Sequence, residues 1–144
     1  ADPAFSNLVT VNISNVTGVG ITNGVNSITV NAVGGGITWS VVTGSSQAMA
    51  VNNGYIANNA GTVAFTIPTT SAVGDIVAVT GINNVVGWSI AYTTGQQIFF
   101  GSLPCTITTG KLASSQIRDS VKLVCVVANL TWNVVSSTGS LVAT

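Results

Sequence analysis

The residues able to carry chemistry in this chain are few, and their types exclude more than they permit. The charged side chains are Asp2, Asp75, Lys111, Arg118, Asp119 and Lys122, and there is no histidine. Without histidine, no Ser-His-Asp or Cys-His arrangement can activate a nucleophile. A zinc site draws on several Cys or His ligands, and Cys105 and Cys125 are too few. Glycoside hydrolysis needs two acids converging in one cleft. Asp2 stands at the second position of the chain, and Asp75 follows Gly74 at a strand entrance, where a turn role is expected. Gly34-Gly35-Gly36 lacks the following Lys and helix of a phosphate loop. The expectation is a non-enzymatic protein with no metal and no cofactor.

Three further sets of residues bear on partners and processing. Trp39, Trp88, Trp132, Tyr55 and Tyr92 suit stacking on sugars, which makes a cell-surface glycan one expected partner. The same residue types also anchor cores and interfaces. Cys105 and Cys125 allow one disulfide, or two buried thiols. Asn12, Asn15 and Asn129 each stand two residues before Ser or Thr, as N-glycosylation acceptors do. The chain opens Ala1-Asp2-Pro3 without Met, as after removal of a secretory signal peptide. The expected location is extracellular, at a cell surface or on a virion.

Charge depletion runs through the whole chain. Only 4% of residues are charged, against about 25% in an ordinary soluble domain. The net charge is zero, which argues against the basic footprint of nucleic-acid binding. It also removes the usual barrier to self-association, so copies of the chain itself are the first expected partner, as a homopolymer or homotrimer. Hydrophobic residues reach 47%, yet no run approaches the ~20 apolar residues of a spanning helix. The longest, Leu123 to Ala128, has six residues.

The apolar residues alternate with Thr, Asn and Ser, which is strand periodicity. Val9, Val11 and Ile13 share one face. Ile28, Val30 and Ala32 form a second set, and Ile37, Trp39 and Val41 a third after Gly34-Gly35-Gly36. Val63, Phe65 and Ile67 stop at Pro68. Asp75–Thr80, Gly87–Tyr92, Gln96–Phe100, Ser120–Ala128, Leu130–Ser136 and Ser140–Ala143 complete the expected strands. Asn23-Gly24 and Asn53-Gly54 carry hairpin-turn chemistry. One helical turn is allowed only between Lys111 and Arg118.

Two patterns point beyond the single strand. Ile37-Thr38-Trp39-Ser40-Val41-Val42-Thr43 matches Leu130-Thr131-Trp132-Asn133-Val134-Val135-Ser136 in kind. It suggests equivalent strands with a Trp at the same level, or coincidence in a Val/Thr-rich chain. Four of the six charges fall between Lys111 and Lys122, which reads as a water-facing loop and strand edge. The sharper alternative there is an inter-subunit salt bridge through Arg118 and Asp119.

Several ordered motifs carry a family resemblance. They are Ser46 to Asn59, Val73-Gly74-Asp75-Ile76, Gly87-Trp88-Ser89-Ile90, Gly95 to Gly101, and Asp119 to Asn129 leading to Trp132. Over roughly residues 37–142 the chain resembles β-rich modules of phage tail-fibre-like and bacterial surface-fibre proteins. The resemblance implies a self-associating extracellular or virion-associated structural module, without catalytic residues.

The expected architecture is all-β. Residues 1–36 form a strand-like N-terminal arm, and residues 37–144 a jelly-roll-like β-sandwich. The arm suits exchange with a neighbouring subunit, with Val9, Val11 and Ile13 as the inserted face. The expected function is a structural subunit of an extracellular fibre. The alternatives are a trimeric glycan-binding tail-fibre module and a secreted lectin-like monomer.

Overall fold

The computed structural model describes residues 19–24, 27–32, 36–82 and 87–144. The chain divides into two units, Ala1–Gly35 and Gly36–Thr144. In the first, β1 (Val19–Gly24) and β2 (Ser27–Ala32) pair antiparallel, with Gly24 opposite Ser27 and Val19 opposite Ala32. Asn23 and Gly24 are therefore the last two residues of β1, at the end where it pairs with the start of β2. Val9, Val11, Ile13, Asn12 and Asn15 lie outside the described residues.

The second unit is all-β, and no helix occurs among the described residues. Its strands are β3 (Thr38–Val42), β4 (Ser46–Ala48), β5 (Asn53–Ala57), β6 (Val63–Thr66), β7 (Ile76–Gly81) and β8 (Trp88–Ala91). They continue as β9 (Gln97–Phe100), β10 (Leu103–Pro104), β11 (Lys111–Ser114), β12 (Ser120–Val127), β13 (Thr131–Thr138) and β14 (Leu141–Ala143). The segment allowed a helical turn thus begins with strand β11. Two mixed sheets form, ordered β10-β9-β13-β12-β7-β5-β3 and β14-β11-β8-β6-β4.

From β3 to β8 the chain alternates strictly between the sheets. Parallel neighbours need a crossover connection, most often a helix. Here the crossover is a strand of the opposite sheet. That is why β3, β5 and β7 run parallel in one sheet and β4, β6 and β8 in the other. β13 is also parallel to β9. These pairings depart from the antiparallel strand order of a jelly roll. The remaining neighbours, including the long β12–β13 hairpin, are antiparallel.

Alternation places the core between the sheets. Tyr55, Ala57, Val77, Val79, Leu123, Cys125 and Trp132 are buried on one side, and Val63, Phe65, Trp88, Ile90 and Leu112 on the other. The Tyr55 and Phe65 rings meet at 5.6 Å between centroids. The two Trp strands of the near-repeat are not equivalent. Trp132 opposes Cys125 and is fully buried, whereas Trp39 is about half exposed. In β3 the inward row is Ser40 and Val42. In β13 it is Trp132 and Val134, so the same motif sits one residue out of phase. A one-residue slip turns every side chain to the other face.

The charged stretch 111–122 is not uniformly water-facing. Lys111, Arg118 and Lys122 are exposed, but Asp119 is buried. Its Oδ2 accepts hydrogen bonds from the backbone N–H of Ser115 and of Gln116, both at 2.9 Å. Its carbonyl accepts the Trp88 indole N–H at 2.9 Å. Asp119 therefore clasps the β11–β12 turn to the core. Gly139 sits against it at φ +90°, where a Cβ would overlap the carboxylate.

Candidate functional site: an open sheet edge beside an aromatic groove

Four strands end the two sheets, and they are unequal. β10 has two residues, one of them Pro104, and β4 and β14 have three each. Short strands and prolines are ordinary protection of an edge against pairing. β3 has five residues, Thr38-Trp39-Ser40-Val41-Val42, with no charge, proline or bulge.

The hydrogen bonds of β3 show what the edge offers. Thr38 N–H donates to the Asn52 carbonyl at 3.4 Å, and the Val42 carbonyl accepts Asn58 N–H at 2.8 Å. In a parallel ladder, alternate residues bond to the same neighbour. Thr38, Ser40 and Val42 therefore face β5. Trp39 and Val41 turn their N–H and C=O groups away from the sheet, where no described strand meets them. The side chains are open as well: Trp39 is 49% and Val41 55% exposed. Ser40 is exposed although it belongs to the inward row, because no described strand lies beyond the edge to cover it.

On the outer face, one register row crosses five strands. Trp39 is opposite Gly54, Gly54 opposite Ala78, Ala78 opposite Lys122, and Lys122 opposite Ser136. The Trp39 indole lies over Gly54, where a Cβ would stand 2.5 Å from ring atom Cδ2. Beyond the indole the row is low, and it opens a groove of about 170 Å³ lined by Trp39, Ala78, Lys122 and Ser136. Asn53-Gly54, expected as a turn, is instead the start of β5, and its glycine provides the seat for the indole.

The other residues singled out from the sequence do not join this site. Cys105 and Cys125 are free, buried thiols, not a disulfide. Each sulfur has its own partners: Cys105 Sγ reaches the Lys111 carbonyl, and Cys125 Sγ lies 3.2 Å from Ser71 Oγ and donates to the Val127 carbonyl at 3.2 Å. Burial pushes the Cys105 thiol above its ordinary value, and burial likewise raises Tyr92, whose hydroxyl donates to the Thr106 carbonyl. Asn129 is exposed at φ +62° in the turn between β12 and β13, and its Oδ1 accepts Ser71 N–H at 2.7 Å. Trp88 and Trp132 are core residues, and Tyr55 and Tyr92 are buried. Of the five aromatics suited to sugar stacking, Trp39 alone is exposed. No group of three or more Cys, Asp or Glu gathers as a metal site among the described residues. No described helix is long and apolar enough to cross a membrane.

Comparison with protein-family models and with curated proteins finds no match.

Proposed function

We propose that this protein is a non-enzymatic structural subunit of an extracellular fibre, assembled by addition of a strand from a neighbouring copy to the β3 edge. One observation carries this reading. Of the four strands that end the second unit's sheets, β3 is the longest and lacks charge, proline and bulge, and it presents backbone groups that no described strand meets beside exposed Trp39 and Val41. β-strand addition draws affinity from main-chain hydrogen bonds and register from alternate side chains. The donor is the alternating segment Val9-Thr10-Val11-Asn12-Ile13. Seated beside β3, its Val and Ile residues extend the inward row past Ser40, and Thr10 and Asn12 face outward. Asn12 then stays accessible to glycosylation. A head-to-tail exchange that does not close on itself produces a filament. The neutral net charge favours such contacts.

Deleting residues 1–15 tests the donor. Negative-stain microscopy should show filaments for the full chain and discrete folded particles for the deletion. Filaments that persist unchanged in the deletion would refute strand donation by this segment.

A further inference from the structure

We infer that the outer-face groove between Trp39 and Lys122 binds a sugar ring carrying a carboxylate, as in an acidic polysaccharide. The observation is the register row described above. Its platform, Trp39, is held over Gly54 and is about half exposed. An aromatic face exposed beside a low floor suits the apolar face of a pyranose. The floor beside the indole is Ala78, whose short side chain leaves the space open. Ser120, Ser136 and Thr138 border the far side and bring hydroxyls to the rim. An apolar surface with a few convergent polar groups is the usual make-up of a small-ligand site.

Charge selects the ligand. Lys122 is the cation at this groove, and no acid lines it. The two aspartates among the described residues are engaged elsewhere. Asp75 accepts hydrogen bonds from Asn52 Nδ2 and Ala72 N–H, and Asp119 accepts from Ser115 and Gln116. The Lys122 ammonium is therefore left to an incoming anion. A groove of about 170 Å³ is on the scale of a small ligand. A protein partner would cover far more surface, about 800 Å² on each side of a stable interface.

The groove and the assembly edge use different parts of β3. Strand addition takes the backbone groups of Trp39 and Val41, while the groove takes the indole and the Lys122 ammonium. Lys122→Gln should therefore leave filaments intact, and loss of sugar binding would not disturb the assembly reading.

The test is calorimetric titration of the full chain with oligogalacturonate, and with a neutral maltooligosaccharide as the contrast. Oligogalacturonate is expected to bind with an affinity that falls as salt is raised. Trp39→Ala should weaken it at least about tenfold. Lys122→Gln should weaken it and abolish its salt dependence. Circular dichroism should confirm that both variants keep the fold. Absence of binding, equal binding of the neutral sugar, or binding unchanged in either variant would overturn the proposal.

Discussion

The Trp39 indole rests on Gly54 across one register row of β3 and β5. A Cβ added to Gly54 would meet three indole atoms at 2.5–2.8 Å. The glycine is chosen for the space above it, since its backbone is that of an ordinary strand residue. The contact holds a large apolar side chain at an edge where nothing else among the described residues covers it.

Gly54→Ala should move that indole without unfolding the sandwich. Trp39 sits at the surface and can swing away, so the expected cost is about 1 kcal/mol or less. Trp88 and Trp132 are buried, and so the change in fluorescence quenching by acrylamide reports Trp39. Quenching is expected to rise while the melting temperature moves little. Unchanged quenching would mean that the glycine does not seat the ring.

The two core tryptophans separate packing from hydrogen bonding. Both are fully buried, but the Trp88 indole N–H donates to the Asp119 carbonyl, whereas Trp132 Nε1 has no partner. Replacing either by Phe removes similar volume. Only Trp88→Phe leaves a buried acceptor without its donor, and an unsatisfied buried group costs about 1–3 kcal/mol. Trp88→Phe should therefore be the more destabilising of the two in urea unfolding. Equal losses would contradict the stated role of the Asp119 clasp.

The buried thiol predicts an alkaline limit to stability. Cys105 is raised above its ordinary value by burial, and Tyr92 is raised as well, first by burial and then by its neighbour Cys105. Above a thiol's ordinary range, near pH 8.5, the unfolded chain has lost a proton that the folded chain keeps. Stability falls with pH wherever the unfolded state binds fewer protons. Unfolding free energy should be flat in the neutral range and decline above about pH 8.5. Cys105→Ala should soften the decline. The same burial predicts that a thiol reagent labels neither cysteine until the protein unfolds. A decline identical in Cys105→Ala would rule out the thiol as its source.

Much of the fold was legible in the sequence because burial on one face forces alternation. Val63, Phe65 and Ile67 were expected on one face up to Pro68, and all three are buried there. The strands at β7, β8, β9, β12, β13 and β14 fall where alternation and turn residues put them. What alternation cannot carry is phase and partner. Trp39 and Trp132 occupy like motifs yet face opposite sides of one sheet, since the side taken depends on the neighbouring strand. The parallel pairs of β3, β5 and β7 depend on crossovers through the other sheet, which no local pattern encodes. Charge alone places Asp119 in water, where charged side chains usually lie. Its burial follows from the backbone N–H groups of Ser115 and Gln116, which only the folded turn points at it. The open β3 edge had one sequence signal in retrospect: a five-residue alternating strand, where the other three edges of its unit are two or three residues long.

The central claim is that β3 is an acceptor edge, and Val41→Pro addresses it directly. The Val41 N–H points off the sheet, so a proline there removes an edge donor while sparing the bonds to β5, and edge strands tolerate proline. Sedimentation of the full chain beside this variant is the decisive comparison. The account predicts large polymers for the parent chain and a folded, slowly sedimenting species for Val41→Pro with a similar melting temperature. Polymers of undiminished size in the folded variant would contradict it.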